Sequence, residues 1–401
     1  MSKVFIVGAK RTAIGSFLGT LKTVHPATLG ASLIKNIVDE TKIDVNLIDE
    51  VIIGNVLSAG LGQGVGRQVA INAGIPKEVV GLSLNMVCGS GMKAVMNGYA
   101  NIKAGLSDLI FAGGVESMSQ TPFLIPNSSR SGYKMGNMVA KDHMIYDALT
   151  DVYNQYHMGI TAENIVDKYN ISREEQDAFA IKSQEKAIKA VDSGRFKDEI
   201  VPIEVKTRKE TIVFADDEYP NRRSNLEKLA KLRPAFKKDG SVTAGNASGI
   251  NDGASMVLLA SEEAVEKYQL KPLAEIVGIG QGGVDPSVMG LGPVPAIKKA
   301  LNHASLSFNQ MELIELNEAF ASQSLGVVHE LCEAYNETKE SIFERTNVNG
   351  GAIALGHPVG VSGNRIIVTL IHEMKKRNVT YGLASLCIGG GMGTAVVLKL
   401  V

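Results

Sequence analysis

Two cysteines and one histidine stand in glycine-rich surroundings that suit chemistry better than packing. Cys88 lies in Asn85-Met-Val-Cys-Gly-Ser-Gly-Met92. Apolar residues precede it, and Met92, Val95, Met96, Tyr99 and Ile102 follow at helical spacings, so it is expected at or just before a helix N-terminus. Unpaired N–H groups and the positive dipole end would stabilise a thiolate there. A free thiol with a pKa of about 8.5 is little ionised at neutral pH, so such help matters. A lone cysteine is more often a small buried hydrophobe; flanking glycines, which let a ligand approach the backbone, favour the nucleophile. His357 lies in Gly350-Gly-Ala-Ile-Ala-Leu-Gly-His-Pro358. Glycines and Pro358 keep the chain stiff and open around the imidazole, which suits a positioned acid/base or hydrogen-bond donor.

Cys387 ends a strand-like run at the turn Gly389-Gly-Gly-Met-Gly393. Backbone N–H groups in such a turn can bind an oxyanion. The thiol itself could be the resolving partner of a redox pair or a base, and the turn alone does not decide between them. Asn317-Glu-Ala-Phe320 follows the apolar run Leu313–Leu316. Helix capping by Asn317 is the preferred reading of these residues alone, and orienting a water or the imidazole is the other. Cys332 shares a helical face with Leu331 and Tyr335 and reads as structural.

The elements that must position these groups alternate between short apolar strands and amphipathic helices, an α/β pattern. Strands are expected at Val4–Val7, Glu50–Asn55, Leu109–Gly113, Leu273–Gly278, Leu313–Asn317, Gly382–Ile388 and Thr394–Leu398. Helices are expected at Thr28–Thr41, Met92–Lys103, Glu174–Ser193, Ser261–Tyr268, Val294–His303, Ala319–Tyr335 and Val361–Arg377. Ser172-Arg-Glu-Glu175 is a capping-box signature, and Ala178, Ile181, Ala187, Ile188 and Val191 form the expected apolar stripe behind it.

Two halves echo one another. Val4–Val7 and Leu273–Gly278 open them, and each reaches a glycine-framed motif, at Cys88 or His357, about eighty residues later. An offset of about 270 superposes the openings and brings Cys88 beside His357. A duplicated unit whose equivalent turns meet at one site explains this most simply. The expected division is an N-terminal half of residues 1–118 and 246–270, an inserted loop domain of 119–245, and a C-terminal half of 271–401. Long insertions of this kind are usually lids, binding loops or assembly elements.

Composition narrows the field. The 401 residues carry a formal charge of -1, so duplex binding by phosphate neutralisation is not expected. Three widely spaced cysteines argue for a reducing compartment and against a disulfide framework, and with no CxxC pair a structural zinc site is not expected. The charge-free run Asn378–Leu398 is broken by five glycines and reads as two buried strands around a turn rather than a membrane span. No GxxxxGK[ST] loop for phosphates occurs, and the C-terminal Leu400-Val401 is no peroxisomal address. A soluble cytoplasmic protein is expected.

The motifs at 85–91, 317–320, 350–360 and 387–393 resemble, in order, the four signature blocks of thiolases, and Leu232-Arg-Pro-Ala-Phe236 and Thr243–Ala254 are similar to further blocks. The likeness spans nearly the whole chain. It departs at Ala13 in Arg11-Thr-Ala-Ile-Gly15, where the family has proline. The resemblance implies a thiolase fold of two pseudo-symmetric α/β halves with an inserted loop domain. It implies that Cys88 takes the acyl group from an acyl-coenzyme A. His357 would activate Cys88 and donate a hydrogen bond to the second thioester. Cys387 would remove and return the α-proton, Asn317 would hold a water in the same oxyanion hole, and N–H groups of Cys88 and Gly389 would form the other hole. Family-like positions for coenzyme A are Leu149, His157, Phe236, Ala244 and Ser248; Arg222 and Arg223 are candidates for its phosphates, a solvated basic turn being an equal reading. Met158, Met289, Ala319 and Phe320 would line the acyl pocket, though methionine is also a common core residue. Tyr156-His-Met-Gly159 resembles the block that narrows this pocket in short-chain members, and residues 130–143 resemble their cationic tetramer loop.

The resemblance thus implies acetyl-CoA C-acetyltransfer, with acetyl-CoA, acetoacetyl-CoA and CoA as partners, no permanently bound cofactor, no metal, no nucleic acid, no membrane and a homotetrameric assembly. A 3-ketoacyl-CoA thiolase acting on longer chains is the alternative. A Cys-His-Asn hydrolase and a non-catalytic acyl-CoA or lipid carrier are the readings outside this class. The second thiol with its own glycine turn disfavours the first, and retention of all four polar groups disfavours the second.

Overall fold

A computed structural model describes residues 3–401. Its central sheet contains nine strands: β1 (Val4–Arg11), β2 (Glu50–Gly54), β3 (Val80–Leu84), β4 (Leu109–Ser117), β5 (Asn251–Ser261), β6 (Ala274–Gly283), β7 (Leu313–Leu316), β8 (Tyr381–Ile388) and β9 (Met392–Leu400). They run in the order β7-β8-β9-β6-β1-β5-β4-β2-β3, with the two-residue strand Gly15–Ser16 added beside β5. β4 and β5 are buried along their whole length; β4 accordingly reads as an apolar run, whereas β5, which opens with Asn251-Asp-Gly, is a strand beyond those expected.

The order is symmetric about the β1–β6 seam. On one side β1 pairs antiparallel with β5, β5 antiparallel with β4, and β4 parallel with β2. On the other, β6 pairs antiparallel with β9, β9 antiparallel with β8, and β8 parallel with β7. Even the irregularities correspond. The register slips between Ile6 and Gly8 in β1, and between Ile276 and Gly278 in β6, an offset of 270. The seam itself has only two register pairs, Phe5↔Glu275 and Ile6↔Ala274.

Three apolar slabs hold the layers together. Alternate residues of β1 face different slabs, as a pleated strand requires: Phe5 and Val7 pack with helices α1 (Pro26–Thr41) and α2 (Val65–Ala73), Val4 and Ile6 with helix α3 (Ser90–Lys103). Later helices, in chain order, are α4 (Met158–Tyr169), α5 (Arg173–Asp192), α6 (Pro293–Ala304), α7 (Ala321–Tyr335) and α8 (Ser362–Arg377). α8 shares the middle slab with α3, while α6 and α7 cover the outer face of the second half. α3 and α8 start 272 residues apart and nearly touch at their N-termini. A Cβ on Gly363 would lie 2.7 Å from the Met92 nitrogen, and one on Gly91 2.9 Å from the Gly360 oxygen, so only glycine permits the approach. This close contact brings the Cys88 and His357 segments together.

The stretch between Ser117 and Asn251 leaves the sheet. It contains two-stranded hairpins, the short helix His143–Asp147, and α4 and α5. The Ser172–Glu175 capping box starts α5 as expected. Its buried face differs from the expected stripe: Gln176, Asp177, Ala180, Ser183, Gln184, Ala187 and Ala190 are buried. The helix docks through hydrogen bonds. Gln176 bonds to Ser241 Oγ (2.9 Å), Asn246 donates to Asp177 (2.9 Å), and Ser183 donates to Glu318 (2.6 Å). The buried face is therefore rotated away from the expected apolar stripe, only Ala187 being common to both, and is largely polar.

Candidate active site

Cys88 sits one residue before Gly89, the N-cap of α3. The turn that carries it is strained: Val87, a β-branched residue, has φ +46°. Asn85 Oδ1 accepts from Val87 N (2.9 Å), Ser90 Oγ accepts from Met86 N (2.8 Å), and Ser90 Oγ donates to Val87 O (2.7 Å). These bonds fix the turn. The sulfur receives backbone N–H groups of Gly389 and of Cys88 itself. Here an expectation fails. Burial outweighs those N–H groups and pushes the thiol up to about 11, so the resting sulfur is protonated. A helix N-terminus in a dry pocket does not by itself make a thiolate, and ionisation needs a base at the moment of reaction.

His357, on the wall of the same cavity, is the candidate for that base. Burial, reinforced by Arg365, pushes its pKa down to about 4, so the ring is neutral at pH 7. Nδ1 lies 2.5 Å from Ser362 Oγ, and that hydroxyl donates to Pro358 O (3.1 Å). With the hydroxyl proton committed, the ring donates from Nδ1 and Nε2 keeps its lone pair. The backbone is held too: His357 N donates to Asn251 Oδ1 (2.9 Å). Gly356, at φ +103°, passes so close to Asn251 that a Cβ would lie 2.5 Å from that side chain.

Cys387 is fully buried, with Met158, Met289, Ala319 and Phe320 around it. Burial raises its pKa, and the neighbouring Cys88 raises it further, so the two sulfurs lie within reach of each other's charge. The turn Gly389–Gly391 after β8 takes φ +87° at Gly390 and +83° at Gly391 and turns the Gly389 N–H towards Cys88.

Asn317 is where capping was preferred, and the structure corrects that. α7 begins at Ala321 with Phe320 as its N-cap and no side-chain cap. The Asn317 main chain instead ties β7 to β8 through Ser385 O (3.0 Å). Its side-chain amide is buried with no hydrogen-bond partner among the described residues, on either the oxygen or the nitrogen. A buried amide left so is expensive unless a ligand or water engages it.

A cavity of about 480 Å³ opens beside Cys88, His357 and Gly389, whereas Cys387 and Asn317 do not line it. Cys88, His357 and Gly389 form part of its wall, as do Leu149, His157, Phe236, Ala244, Ser248, Met158, Met289, Ala319 and Phe320, all expected there. His157 stacks on Phe236 with centroids 4.6 Å apart, and Phe236 meets Phe320 edge-on at 6.2 Å. Gly159 makes room for this: a Cβ would lie 2.2 Å from the Phe236 ring. Ser16, Phe17, Met118, Tyr219 and Val359 also line the cavity without having been foreseen, since nothing in their local sequence marks them. Arg222 and Arg223 lie outside it. Arg222 is exposed and paired with Asp192, its Nη1 2.9 Å from Oδ2. Cys332 is half-buried against the α6–α7 slab, remote in the fold from the other two thiols. Among the described residues, no group of three or more His, Cys, Asp or Glu could hold a metal, and no helix is long and apolar enough to cross a membrane.

The sequence profile for the N-terminal domain of thiolases matches residues 4–263, and that for the C-terminal domain matches residues 270–400. The chain belongs to the thiolase family. Among thiolase relatives, the acetyl-CoA acetyltransferase of Syntrophomonas wolfei is 55% identical over 401 residues, covering 99% of each chain. The crystal structure of the Bacillus anthracis acetyl-CoA acetyltransferase superposes with a TM-score of 0.95 at 43% identity, over 100% of this chain and 99% of that one. Human mitochondrial 3-ketoacyl-CoA thiolase in complex with CoA superposes with a TM-score of 0.93 at 44% identity, over 100% and 98%. The thiolase fold expected from the motifs is thereby established.

Proposed function

We propose that this thiolase is an acetyl-CoA C-acetyltransferase, joining two acetyl-CoA reversibly into acetoacetyl-CoA and CoA through acetyl-Cys88. His357 Nε2 takes the Cys88 proton as the sulfur attacks the thioester carbonyl. The oxyanion forms against the N–H groups of Cys88 and Gly389. Cys387 gives its proton to the departing CoA sulfur, leaving a Cys387 thiolate and a His357 imidazolium. The second acetyl-CoA binds with its carbonyl oxygen towards His357 and a water held by Asn317. Cys387 removes a proton from the adjacent methyl, the carbanion attacks acetyl-Cys88, and the released Cys88 sulfur recovers its proton from His357. Every proton is returned.

The raised pKa of Cys387 fits both halves of this cycle, since a weak acid is a strong base once ionised. Its burial beside Cys88 is the observation that carries the reading, because hydrolysis has no use for a second thiol. Incubation with acetyl-CoA tests it: acetoacetyl-CoA supports condensation, whereas acetate alone refutes it.

The large side chains of Met158, Met289 and Phe320 at the inner end of the cavity favour acetyl and acetoacetyl groups. The likeness to a 3-ketoacyl-CoA thiolase and a second cavity of about 440 Å³ that shares Met158 and Gly389 favour the alternative of longer chains. Comparing turnover of acetoacetyl-CoA with a longer 3-ketoacyl-CoA decides between them. Coenzyme A would lie along the His157–Phe236 wall past Leu149, Ala244 and Ser248. Its phosphates would reach the rim near Tyr219, three and four residues from Arg222 and Arg223, and no other cofactor is required. A homotetramer is proposed from the exposed Phe123, Ile125, Met135 and Val139 in the inserted segment, with light scattering as its test. The free cysteines favour the cytoplasm.

A further inference from the structure

Glu116, near the end of β4, is completely buried and is used by no step above. Its Oε1 accepts from Asn55 Nδ2 (2.9 Å) and Leu57 N (3.1 Å). Its Oε2 accepts from Val56 N (3.0 Å) and Gly360 N (3.0 Å). Four N–H donors occupy both oxygens, which favours the ionised carboxylate and opposes the burial that pushes its pKa up to about 7. Three donors belong to the first half. The fourth, Gly360, is three residues from His357 in the second. The fit leaves no slack: a Cβ on Gly360 would lie 2.5 Å from Oε2, and one on Gly114 2.1 Å from the Gly360 oxygen. Val56, Leu57 and Val359, the residues anchored by these bonds or next to them, belong to the apolar cluster against which Cys88 packs.

We infer that Glu116 is a positioning residue for both reacting groups: its carboxylate locks the His357 loop to the Cys88 wall and sets a negative charge on that side of the site. The inference rests on the roles given to Cys88 and His357 above. The charged or titratable groups facing this cluster are Asp252 beside Glu116, Cys387 beside Cys88, and Arg365 beside His357. Of these only Glu116 bonds to segments of both halves at the site. That charge makes a small addition to the upward push that burial exerts on the Cys88 thiol.

The test compares wild type, Glu116→Gln and Glu116→Asp. Iodoacetamide alkylation of Cys88, read by mass spectrometry of its peptide from pH 7 to 10, reports the thiolate. Single-turnover acetylation by acetyl-CoA reports positioning. Removing the charge in Glu116→Gln is expected to move the alkylation profile down by roughly half a pH unit, about threefold faster alkylation at fixed pH. Acetylation slows about tenfold to a hundredfold, because the nucleophile and base lose their alignment. Glu116→Asp keeps the charge but shortens the reach. It is expected to keep the wild-type alkylation profile and to lose acetylation rate. A folded Glu116→Gln with the wild-type profile overturns the inference. So does equal acceleration of alkylation in both variants, which would mean mere loosening of the pocket. Should Glu116→Gln not fold, wild-type acetylation by Glu116→Asp overturns it. If wild type forms no acetyl-Cys88, the proposed reaction fails instead, and the alkylation arm, which needs no acetyl-CoA, still judges Glu116.

Discussion

Ser362 Oγ lies 2.5 Å from His357 Nδ1 and donates its own hydrogen bond to Pro358 O, so a serine rather than a carboxylate orients the imidazole. A neutral partner leaves the ring's affinity for a proton low, in keeping with a pKa of about 4. In the proposed cycle such a base would hold the Cys88 proton only briefly and surrender it readily when the sulfur departs.

Ser362→Ala removes that orienting bond. A single hydrogen bond is worth about 0.5–1.5 kcal/mol, so acetylation of Cys88 should slow by roughly twofold to tenfold. Burst kinetics with acetyl-CoA measure this, and circular dichroism should show an unchanged fold. An unaltered burst rate would mean the imidazole is held by Asn251 and the glycine framework alone.

The two thiols should separate the half-reactions. Cys88→Ala is expected to take up no radiolabelled acetyl group. Cys387→Ala should still be labelled at Cys88 and should lose condensation by about a hundredfold or more, the usual weight of a general base. Label on Cys88→Ala, or full turnover by Cys387→Ala, would reassign the nucleophile or the base.

Acid should destabilise the fold through His357. Its folded pKa of about 4 lies below the ordinary value of 6.5, so between those values the unfolded chain binds the extra proton. Stability therefore falls as pH drops from 6.5 towards 4, and this contribution is absent from His357→Asn. Urea unfolding at pH 7 and pH 5 measures it: the wild type should lose more stability between the two than the variant. Equal losses would show that the ring titrates normally.

Met158, with Ala148 and Gly389, lines both the catalytic cavity and the second one. Met158→Ala should join them and raise the preference for 3-ketoacyl-CoA chains longer than acetoacetyl-CoA. A buried methylene is worth about 0.8 kcal/mol, or roughly fourfold in kcat/KM for each carbon accommodated. Competition between two chain lengths provides the ratio, and no change would place the longer chain's path elsewhere.

The glycine-framed motifs singled out Cys88, His357 and Cys387, which the fold brings near one another, because close backbone approach leaves a local signature. The halves were legible because the duplicated strands keep their spacing to within a few residues. Other features depended on distant partners. β5 begins Asn251-Asp-Gly, which reads as a turn, yet the Asn251 side chain is satisfied by Gly15 O (3.0 Å) and His357 N (2.9 Å), and Asp252 by Ser119 N (2.9 Å). β3, with its glycine and its place at the sheet edge, carries too little alternation to be recognised. Asn317 could not be told from a cap without seeing that α7 starts four residues later. The pKa of Cys88 was misjudged because local sequence shows the helix end but not the depth of the pocket around it.

The β1–β6 seam, two residue pairs long, has a consequence for inheritance. Cys88 comes from one repeat and His357 and Cys387 from the other, so neither repeat holds a working fragment of the chemistry. An ancestral single unit could have acted only as a pair of separate polypeptides facing each other across this seam. Splitting the present chain near residue 270 should therefore yield two inert pieces, whose mixture regains turnover only to the extent that they reassociate.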